Sequence, residues 1–239
     1  MPRFFAPNFS DYPKITGDDA RHISRSLRMS VGDELTVCDT KGVDYFCTIT
    51  SITEQEIELK INETKKTESE PSVEVTLFQC MPKGDKIESV VQKSVELGVN
   101  TIVPVISSRC ISRPDAKSGA KKVARLGKIA DEAAKQSGRG ILPKVENIID
   151  FNSLLEKVEN YDLAICFYEL FGKPIKNIVG NHKKIAIIIG SEGGFSVEEV
   201  EKLKAKGVKI ATLGKRILRT ETAPLAALTS IMLLSGNLE

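Results

Sequence analysis

The run Lys-Ile-Ala-Ile-Ile-Ile (184–189), continued by Gly-Ser-Glu-Gly-Gly-Phe (190–195), decides the fold of this chain. An apolar β-type run ends there at a glycine-rich turn, and Val197–Lys206 then has the amphipathic pattern of a helix. Ser196, with Glu199 three residues later, is the capping-box signature of a helix start. The stretch therefore predicts a strand, a glycine turn and a helix, which is the repeating unit of an open α/β sheet.

A second unit of the same kind follows directly. Lys209–Leu213 is apolar and leads into Leu-Gly-Lys-Arg-Ile-Leu-Arg-Thr-Glu-Thr-Ala (213–223), after which Ala223–Leu234 reads as a buried helix. Turns at the carboxyl ends of strands are where such sheets bind ligands. Two equivalent turns indicate a small-molecule site, although glycines that merely shape tight turns are the alternative.

The composition of the first turn restricts the ligand. No Lys-Ser or Lys-Thr pair follows Gly194, and the spacing is not that of a dinucleotide fingerprint. Glu192 lies inside the turn, and a carboxylate beside a helix N-terminus disfavours a polyphosphate. A ligand with a cationic centre and a base that hydrogen-bonds to the backbone fits the turn better.

The preceding part of this region alternates between strand and helix patterns, so a mostly parallel sheet covered by helices is expected. Ser107–Gly119 has no apolar pattern and is predicted to be a mobile loop. The predicted strands are Val73–Cys80, Thr101–Ile106 and Leu163–Tyr168, and the predicted helices are Asp85–Leu97 and Ala120–Ser137.

The N-terminal part is of another kind. Leu35–Cys38, Tyr45–Ile52 and Ile57–Ile61 are short strand patterns separated by hairpin-type turns, which suggest a small barrel. The polar stretch Lys65–Ser72 ends in a Pro-Ser pair and is the predicted linker. Two modules are therefore expected, at residues 1–70 and 73–239.

One helix, Asp18–Met29, is predicted before those strands, with Ala20, Ile23 and Leu27 on its buried face. Three arginines form a stripe on its other face, where they contact a phosphate backbone or simply form a solvated surface. These are Arg21, Arg25 and Arg28.

Composition agrees with a soluble enzyme of 239 residues and a formal net charge of +2, so any basic surface must be local. The five cysteines are scattered without a Cys-x-x-Cys pair, and the two histidines are far apart. A disulfide framework and a metal site are therefore not expected, and a reducing compartment is. No apolar stretch is long enough for a membrane span, and no signal peptide is recognised.

The two glycine stretches, taken together with four other motifs, resemble the RsmE family of the SPOUT superfamily. The other motifs are Met-Pro-Arg-Phe-Phe (1–5), His-Ile-Ser-Arg-Ser-Leu-Arg-Met (22–29), and the pair Lys83–Gly98 and Gln136–Arg139. The sequence departs from the family pattern at Ser191, where the family usually has Pro, and at Lys135, where it usually has Glu.

The resemblance implies a fold and an activity. It implies an N-terminal PUA-like β-barrel that binds RNA, and a C-terminal SPOUT domain with a deep trefoil knot in place of the unknotted sheet that generic topology rules predict. It also implies a cytoplasmic homodimer that uses S-adenosylmethionine to methylate N3 of uridine 1498 in the 16S RNA of the small ribosomal subunit, without metal.

The same resemblance implies site residues. Arg219 is expected to stabilise the uridinate and Glu221 to accept the proton, although Glu221 is also a favourable charge at a helix start. Arg139 is expected to act from the neighbouring subunit, and Arg3 joins the arginine stripe in binding RNA. The expected cofactor residues are Tyr168, Glu169, Ile189, Gly190, Ser191, Glu192, Gly193, Gly194, Leu213, Gly214, Ile217, Leu218, Arg219, Thr222 and Ala223.

Two alternatives remain open at this stage. One is an RNA ribose 2′-O-methyltransferase of the same superfamily, against which the full-length match to the motifs argues. The other is a non-catalytic RNA-binding or ribosome-assembly protein that keeps the fold.

Overall fold

The structure, a computed structural model, describes residues 1–238. The chain divides into two compact units. Unit 1 contains Met1–Glu70 and the short segment Ala134–Leu142, and unit 2 contains the rest. No local pattern predicts that Ala134–Leu142 belongs with the N-terminal residues.

Unit 1 is a curled five-stranded sheet with the strand order β1-β3-β4-β5-β2. Only β1 and β3 run parallel. The three predicted strands are present, and β5 extends into the predicted linker, so the linker is shorter than expected. The strands are β1 (Arg3–Phe5), β2 (Lys14–Thr16), β3 (Glu34–Cys38), β4 (Val43–Ile52) and β5 (Glu56–Lys66).

The prediction of one helix over Asp18–Met29 is wrong for the second half of that range. The α-helix α1 covers Gly17–Arg21, and the chain then widens into one π-helical turn at His22–Ser26. Ala20 and Ile23 are buried as predicted, but Leu27 is exposed. Arg28 has a left-handed backbone with φ of 53°. The change of helical period breaks the arginine stripe, because α-helical spacing no longer aligns Arg28 with the other two.

Unit 2 contains an eight-stranded sheet in which every strand pair is parallel. The strand order is β11-β13-β10-β12-β6-β7-β8, and β9 also pairs with β7. The strands are β6 (Glu74–Cys80), β7 (Thr101–Ile106), β8 (Lys144–Val145), β9 (Ile149–Asp150), β10 (Leu163–Phe167), β11 (Lys173–Pro174), β12 (Lys184–Ile189) and β13 (Lys209–Thr212).

Helices connect these strands and bury their apolar faces on the sheet. They are α2 (Lys86–Glu96), α3 (Ala116–Gln136), α4 (Phe151–Lys157), α5 (Val197–Ala205) and α6 (Ala223–Leu234). The mostly parallel α/β architecture predicted from the sequence is confirmed. The trefoil knot stays a prediction. None of the helices in residues 1–238 is long and apolar enough to cross a membrane.

The order of three strands positions the site. β10 lies between β12 and β13 and is parallel to both. The carboxyl ends of these strands therefore meet at one edge of the sheet, and the segments that follow them lie side by side. Their apolar residues are buried, with Ile185–Ile189 of β12 at most 2% exposed.

The loop Ser107–Gly119 is ordered by specific contacts, and α3 begins within it at Ala116. The predicted capping box of α5 is confirmed, since the Glu199 carboxylate accepts from the Ser196 amide at 2.9 Å. Its other oxygen accepts from the Ser108 amide at 2.7 Å. Arg113 donates to the carbonyls of Ser107 and Ser108 at 2.7 and 2.9 Å. These bonds hold the loop in place, contrary to the predicted mobility.

We expect Glu199→Ala to lower the free energy of unfolding by about 2–3 kcal/mol, because a buried carboxylate that accepts two backbone amides is lost. Urea titration followed by circular dichroism measures the change. Glu198→Ala, which removes an exposed carboxylate one residue earlier, should change stability by less than about 0.5 kcal/mol. Equal losses in the two variants would contradict a special role of Glu199.

Candidate active site

A cavity of about 540 Å³ opens at the carboxyl ends of β10, β12 and β13. Its size is typical of a small-molecule site. Three segments of the chain line it, one after each strand. The lining residues are Phe167–Glu169, Ile189–Phe195, and, from the third segment, Thr212–Gly214, Arg216–Thr220 and Ala223.

The first glycine turn leaves no room for side chains. Gly194 has a left-handed φ of 63° and donates from its amide to the Ser191 carbonyl at 2.9 Å. A Cβ atom at Gly194 would lie 2.7 Å from Oε1 of Glu169. A Cβ atom at Gly190 would lie 3.1 Å from Cα of Gly194. These glycines therefore let the turn fold on itself and expose its backbone to the cavity.

A buried glutamine joins the two glycine turns. Nε2 of Gln79, on β6, donates to Oγ1 of Thr220 at 3.1 Å and lies 3.4 Å from the Gly190 carbonyl. Thr220 donates to the same carbonyl at 2.8 Å. Gln79 is fully buried and was missed by the sequence analysis. The signal was one polar amide in an otherwise apolar strand end, Leu-Phe-Gln-Cys (77–80).

Three polar atoms around the cavity are buried and make no hydrogen bond within residues 1–238. They are Oε1 of Gln79, Oγ of Ser191 and Oε2 of Glu221. All three can accept hydrogen bonds. Of these residues only Ser191 lines the cavity, and Oε2 of Glu221 lies 3.5 Å from Nζ of Lys86. Buried polar groups in proteins are almost always paired, so the Ser191 hydroxyl is suited to a hydrogen bond with a ligand in the cavity.

Two carboxylates, one from each glycine stretch, meet one ammonium group. Nζ of Lys86 lies 3.0 Å from Oε1 of Glu192 and 3.5 Å from Oε2 of Glu221. Glu192 also accepts from the Lys83 amide at 3.2 and 3.3 Å. Burial opposes ionisation of Glu192, but hydrogen bonds from its own amide, Lys86 and Lys83 prevail and lower its pKa. The cluster carries more negative than positive charge, which suits a cationic ligand.

Lys86 is a second site residue that no sequence pattern singles out, because it lies on the solvent side of α2 like an ordinary surface lysine. The hydrogen bond to Glu192, with the charges of Glu192 and Glu221, raises the pKa of Lys86.

We expect Lys86→Met to lower kcat/KM at neutral pH by about fivefold, which is the upper end for a partly exposed ion pair. Without the ammonium group the pKa of Glu192 rises, so Glu192 becomes protonated at a higher pH, and the acidic limb of the pH–rate profile should move upward. Lys93→Met on the same helix, which removes an ammonium group paired with Glu96, should leave the profile in place. Identical profiles for both variants and the wild type would exclude Lys86 from the site.

The structure brings most of the predicted cofactor residues together. All of them except Thr222 line the cavity. Thr222 precedes α6, and its amide donates to the Arg219 carbonyl at 2.8 Å. Arg219 lines the cavity, and within residues 1–238 its guanidinium has no hydrogen-bond partner. That these residues contact a cofactor stays a prediction.

Arg139 is held elsewhere. It is 2% exposed, and its Nε and Nη2 atoms donate to the Glu70 carboxylate at 2.8 and 2.9 Å. Among the described residues it is not part of the cavity lining. This ion pair fixes the guanidinium of Arg139 within unit 1. That Arg139 acts on the site of a neighbouring subunit stays a prediction.

The arginines predicted to bind RNA also have partners. Arg3 forms a bidentate pair with Asp44 at 2.6 and 3.0 Å, with both side chains 12% exposed. Arg21 pairs with Asp18, and Arg25 pairs with Glu54 at 2.6 Å. Arg28 lies outside the helix. Arg28 is therefore out of line with Arg21 and Arg25, and RNA binding by these arginines stays a prediction.

The departure at Lys135 has a local explanation. Its Nζ lies 2.9 Å from Oδ1 of Asp19, and both residues belong to unit 1. The charge that differs from the family pattern is therefore neutralised by a neighbouring carboxylate.

Comparisons with known proteins agree with this architecture. A family model of an RNA methyltransferase domain matches residues 68–232, and one of an RNA methyltransferase PUA domain matches residues 15–62. Ribosomal RNA small subunit methyltransferase E of Bacillus subtilis (strain 168) is 35% identical over 234 residues, covering 95% of this chain and 90% of that protein. The protein of the same name from Buchnera aphidicola subsp. Acyrthosiphon pisum (strain APS) is 31% identical, covering 99% and 95%.

Solved structures give the same result. The crystal structure of a ribosomal RNA small subunit methyltransferase E from Neisseria gonorrhoeae bound to S-adenosyl methionine superposes with a TM-score of 0.90. It is 34% identical, and 98% of each chain is covered. A Legionella pneumophila protein in complex with the bound cofactor SAM gives a TM-score of 0.88 at 28% identity, covering 98% of this chain and 97% of that one.

Proposed function

Because this chain belongs to the ribosomal RNA small subunit methyltransferase E family, we propose that it is an S-adenosylmethionine-dependent methyltransferase of 16S ribosomal RNA. More specifically, we propose that it methylates N3 of one uridine, that numbered 1498 in the family's substrate. The observation that carries the proposal is the cavity formed by two glycine turns joined through Gln79, in a chain whose solved relatives are bound to that cofactor.

The residues around the cavity fit S-adenosylmethionine. The cofactor offers an amine, two ribose hydroxyls and an ammonium group as donors, and the Ser191 hydroxyl in the cavity wall makes no hydrogen bond among the described residues. Its sulfonium is cationic, which suits a site bordered by the carboxylates of Glu169 and Glu192. When bound, it supplies an activated methyl group for in-line transfer. Backbone exposed at Gly190–Gly194 and Leu213–Leu218 would hold it in place.

The protein's contribution to the reaction concerns the acceptor. Uridine N3 is a weak acid and a poor nucleophile while protonated, so the enzyme must remove its proton and stabilise the negative charge left on O2 and O4. The unpaired guanidinium of Arg219 is suited to that stabilisation. We also propose that Glu221, whose Oε2 makes no hydrogen bond among the described residues and lies 3.5 Å from Nζ of Lys86, accepts the proton. Because N3 takes part in base pairing, the target uridine must be unpaired or flipped out.

We also propose the organisation of the protein. Residues 1–70, joined by Ala134–Leu142, form an RNA-binding PUA-like domain, and the rest of residues 73–239 forms the methyltransferase domain with a trefoil knot. Two copies assemble as a homodimer, and the protein acts in the cytoplasm on its ribosomal substrate. The match to a PUA domain model supports the RNA-binding domain, and the names of the relatives support a ribosomal substrate.

Two measurements test the proposal. Isothermal titration should detect binding of S-adenosylmethionine to the purified protein. Mass spectrometry of nucleosides from 16S RNA incubated with the protein and cofactor should then show 3-methyluridine, with RNA from cells that lack the enzyme as the substrate. A 2′-O-methylated nucleoside instead would establish ribose methylation. Absence of cofactor binding would leave a non-catalytic RNA-binding protein.

A further inference from the structure

One stretch of unit 2 has a higher net positive charge than the whole chain. Residues 109–128 contain seven Arg and Lys residues and a single acid, so their formal charge is six positive, against +2 for the whole chain. The acid is Asp115, whose carboxylate accepts from the amide of Ser118 at 2.8 Å and from its hydroxyl at 2.9 Å. These two bonds lower the pKa of Asp115. Asp115 is therefore engaged at the start of α3.

Four of these residues form one row along α3, which we name the basic ridge. It consists of Lys117, Lys121, Arg125 and Lys128. The spacings of four, four and three residues place them on one helical face, over a length of about 16 Å. All four are exposed. The ridge ends toward Asp131 and Glu132, where the helix surface becomes acidic.

Neighbouring carboxylates do not neutralise the ridge. Within residues 1–238, Lys117, Lys121 and Lys128 form no ion pair, and Arg125 pairs with Glu88 at 2.8 Å while its side chain stays 65% exposed. By contrast, Arg21 and Arg25 in unit 1 each face a carboxylate. An uncompensated row of positive charge attracts a polyanion more strongly than a row of ion pairs does.

The chain leads from the ridge to the cavity through an ordered loop. Arg113 donates to the carbonyls of Ser107, Ser108 and Cys110 and so shapes the loop before α3. At its other end, Nη1 of Arg109 donates to the Gly193 carbonyl in the first glycine turn at 3.0 Å. Positive charge thus continues from α3 to the turn that lines the cavity.

We propose that the basic ridge binds the phosphate backbone of the RNA substrate and directs the strand toward the cavity through Arg113 and Arg109. This inference rests on the proposed function, because it assigns a surface to that substrate. The contacts are to phosphate and therefore independent of sequence. The basic ridge on α3 is thus a second RNA surface, in addition to the RNA-binding domain proposed at the N-terminus.

The test is the salt dependence of binding to an unstructured, uridine-rich RNA oligonucleotide, measured by fluorescence anisotropy over a range of KCl concentrations. The variant replaces Lys117, Lys121, Arg125 and Lys128 together by Gln. The matched control replaces Lys202, Lys204, Lys206 and Lys209, on and after α5, by Gln, so that the net charge changes equally. S-adenosylmethionine binding and circular dichroism are measured for both proteins.

We expect the ridge variant to bind RNA at least tenfold more weakly at low salt and to reduce the slope of log K against log[salt] by about 2–3, since each lost single-strand phosphate contact contributes about 0.7. The control should keep the wild-type slope, and both should bind the cofactor as the wild type does. Equal salt slopes for the two variants, or unchanged RNA affinity in both, would contradict the proposal that the basic ridge binds RNA. If the wild type binds no cofactor, the proposed function fails. The salt slopes would still show whether the basic ridge binds RNA.

Discussion

Gly194→Val should abolish detectable S-adenosylmethionine binding, with an affinity loss of at least about a hundredfold. Gly194 has a left-handed backbone, which β-branched residues adopt only with strain. The new side chain would start 2.7 Å from the Glu169 carboxylate and push it from the cavity wall. Backbone strain and loss of space act on the same turn, and positioning of a bound cofactor is sensitive to small displacements. Isothermal titration measures the loss.

Gly207→Val provides the matched control. Gly207 has a similar φ of 80°, but no atom lies within 4 Å of an added Cβ, and the residue is not part of the cavity lining. The control should lose stability without losing more than about twofold in affinity, since only the backbone strain is shared. If both variants bind the cofactor equally well, the first glycine turn is not the cofactor site.

Arg219→Ala should lower kcat by about 10²–10³, the usual cost of removing one group that stabilises a developing anion. The fold should be preserved, because Arg219 contributes to local structure only through its carbonyl, which accepts from Thr222 and Ala223. Single-turnover methylation at saturating RNA and cofactor measures the effect. Arg219→Lys should restore part of the rate, since it keeps the charge but not the planar fork.

Lys215→Ala is the control for a general effect of positive charge in the same loop. Lys215 is exposed and does not line the cavity. We expect kcat within about twofold of the wild type, as for most surface substitutions. A kcat for Arg219→Ala that matches the control would remove Arg219 from the mechanism and leave it a role in binding alone.

Local patterns in the sequence predict much of unit 2. The bounds of Thr101–Ile106, Lys184–Ile189 and Ala223–Leu234 agree with the structure, because each is mostly apolar and is followed by polar or glycine residues. The prediction fails at Leu27 and Arg28, where the helix changes its period. A π-helical turn leaves no mark in an apolar pattern that has the period of an α-helix.

The sequence predicts the parts of the site that come from one continuous segment. It does not predict the residues that reach the site from distant segments. The two glycine turns stand out in the sequence, and their residues do line the cavity. Gln79 and Lys86 are more than a hundred residues away along the chain from the groups they contact, Thr220 and Glu192. Only the sheet order, which brings β6 beside β12, makes them neighbours. A pattern within a single segment does not indicate which strands are neighbours in the sheet.

The Glu70 carboxylate has a consequence for dissecting the protein into fragments. It accepts hydrogen bonds from the Arg139 side chain and from the amides of Gly140 and Ile141. A piece cut after Glu70 would lose every one of these donors and leave an uncompensated anion where the full chain has a buried pair. An N-terminal fragment that folds on its own needs Ala134–Leu142 joined to it by a linker. A continuous stretch of this chain is therefore not the same thing as a unit that folds by itself.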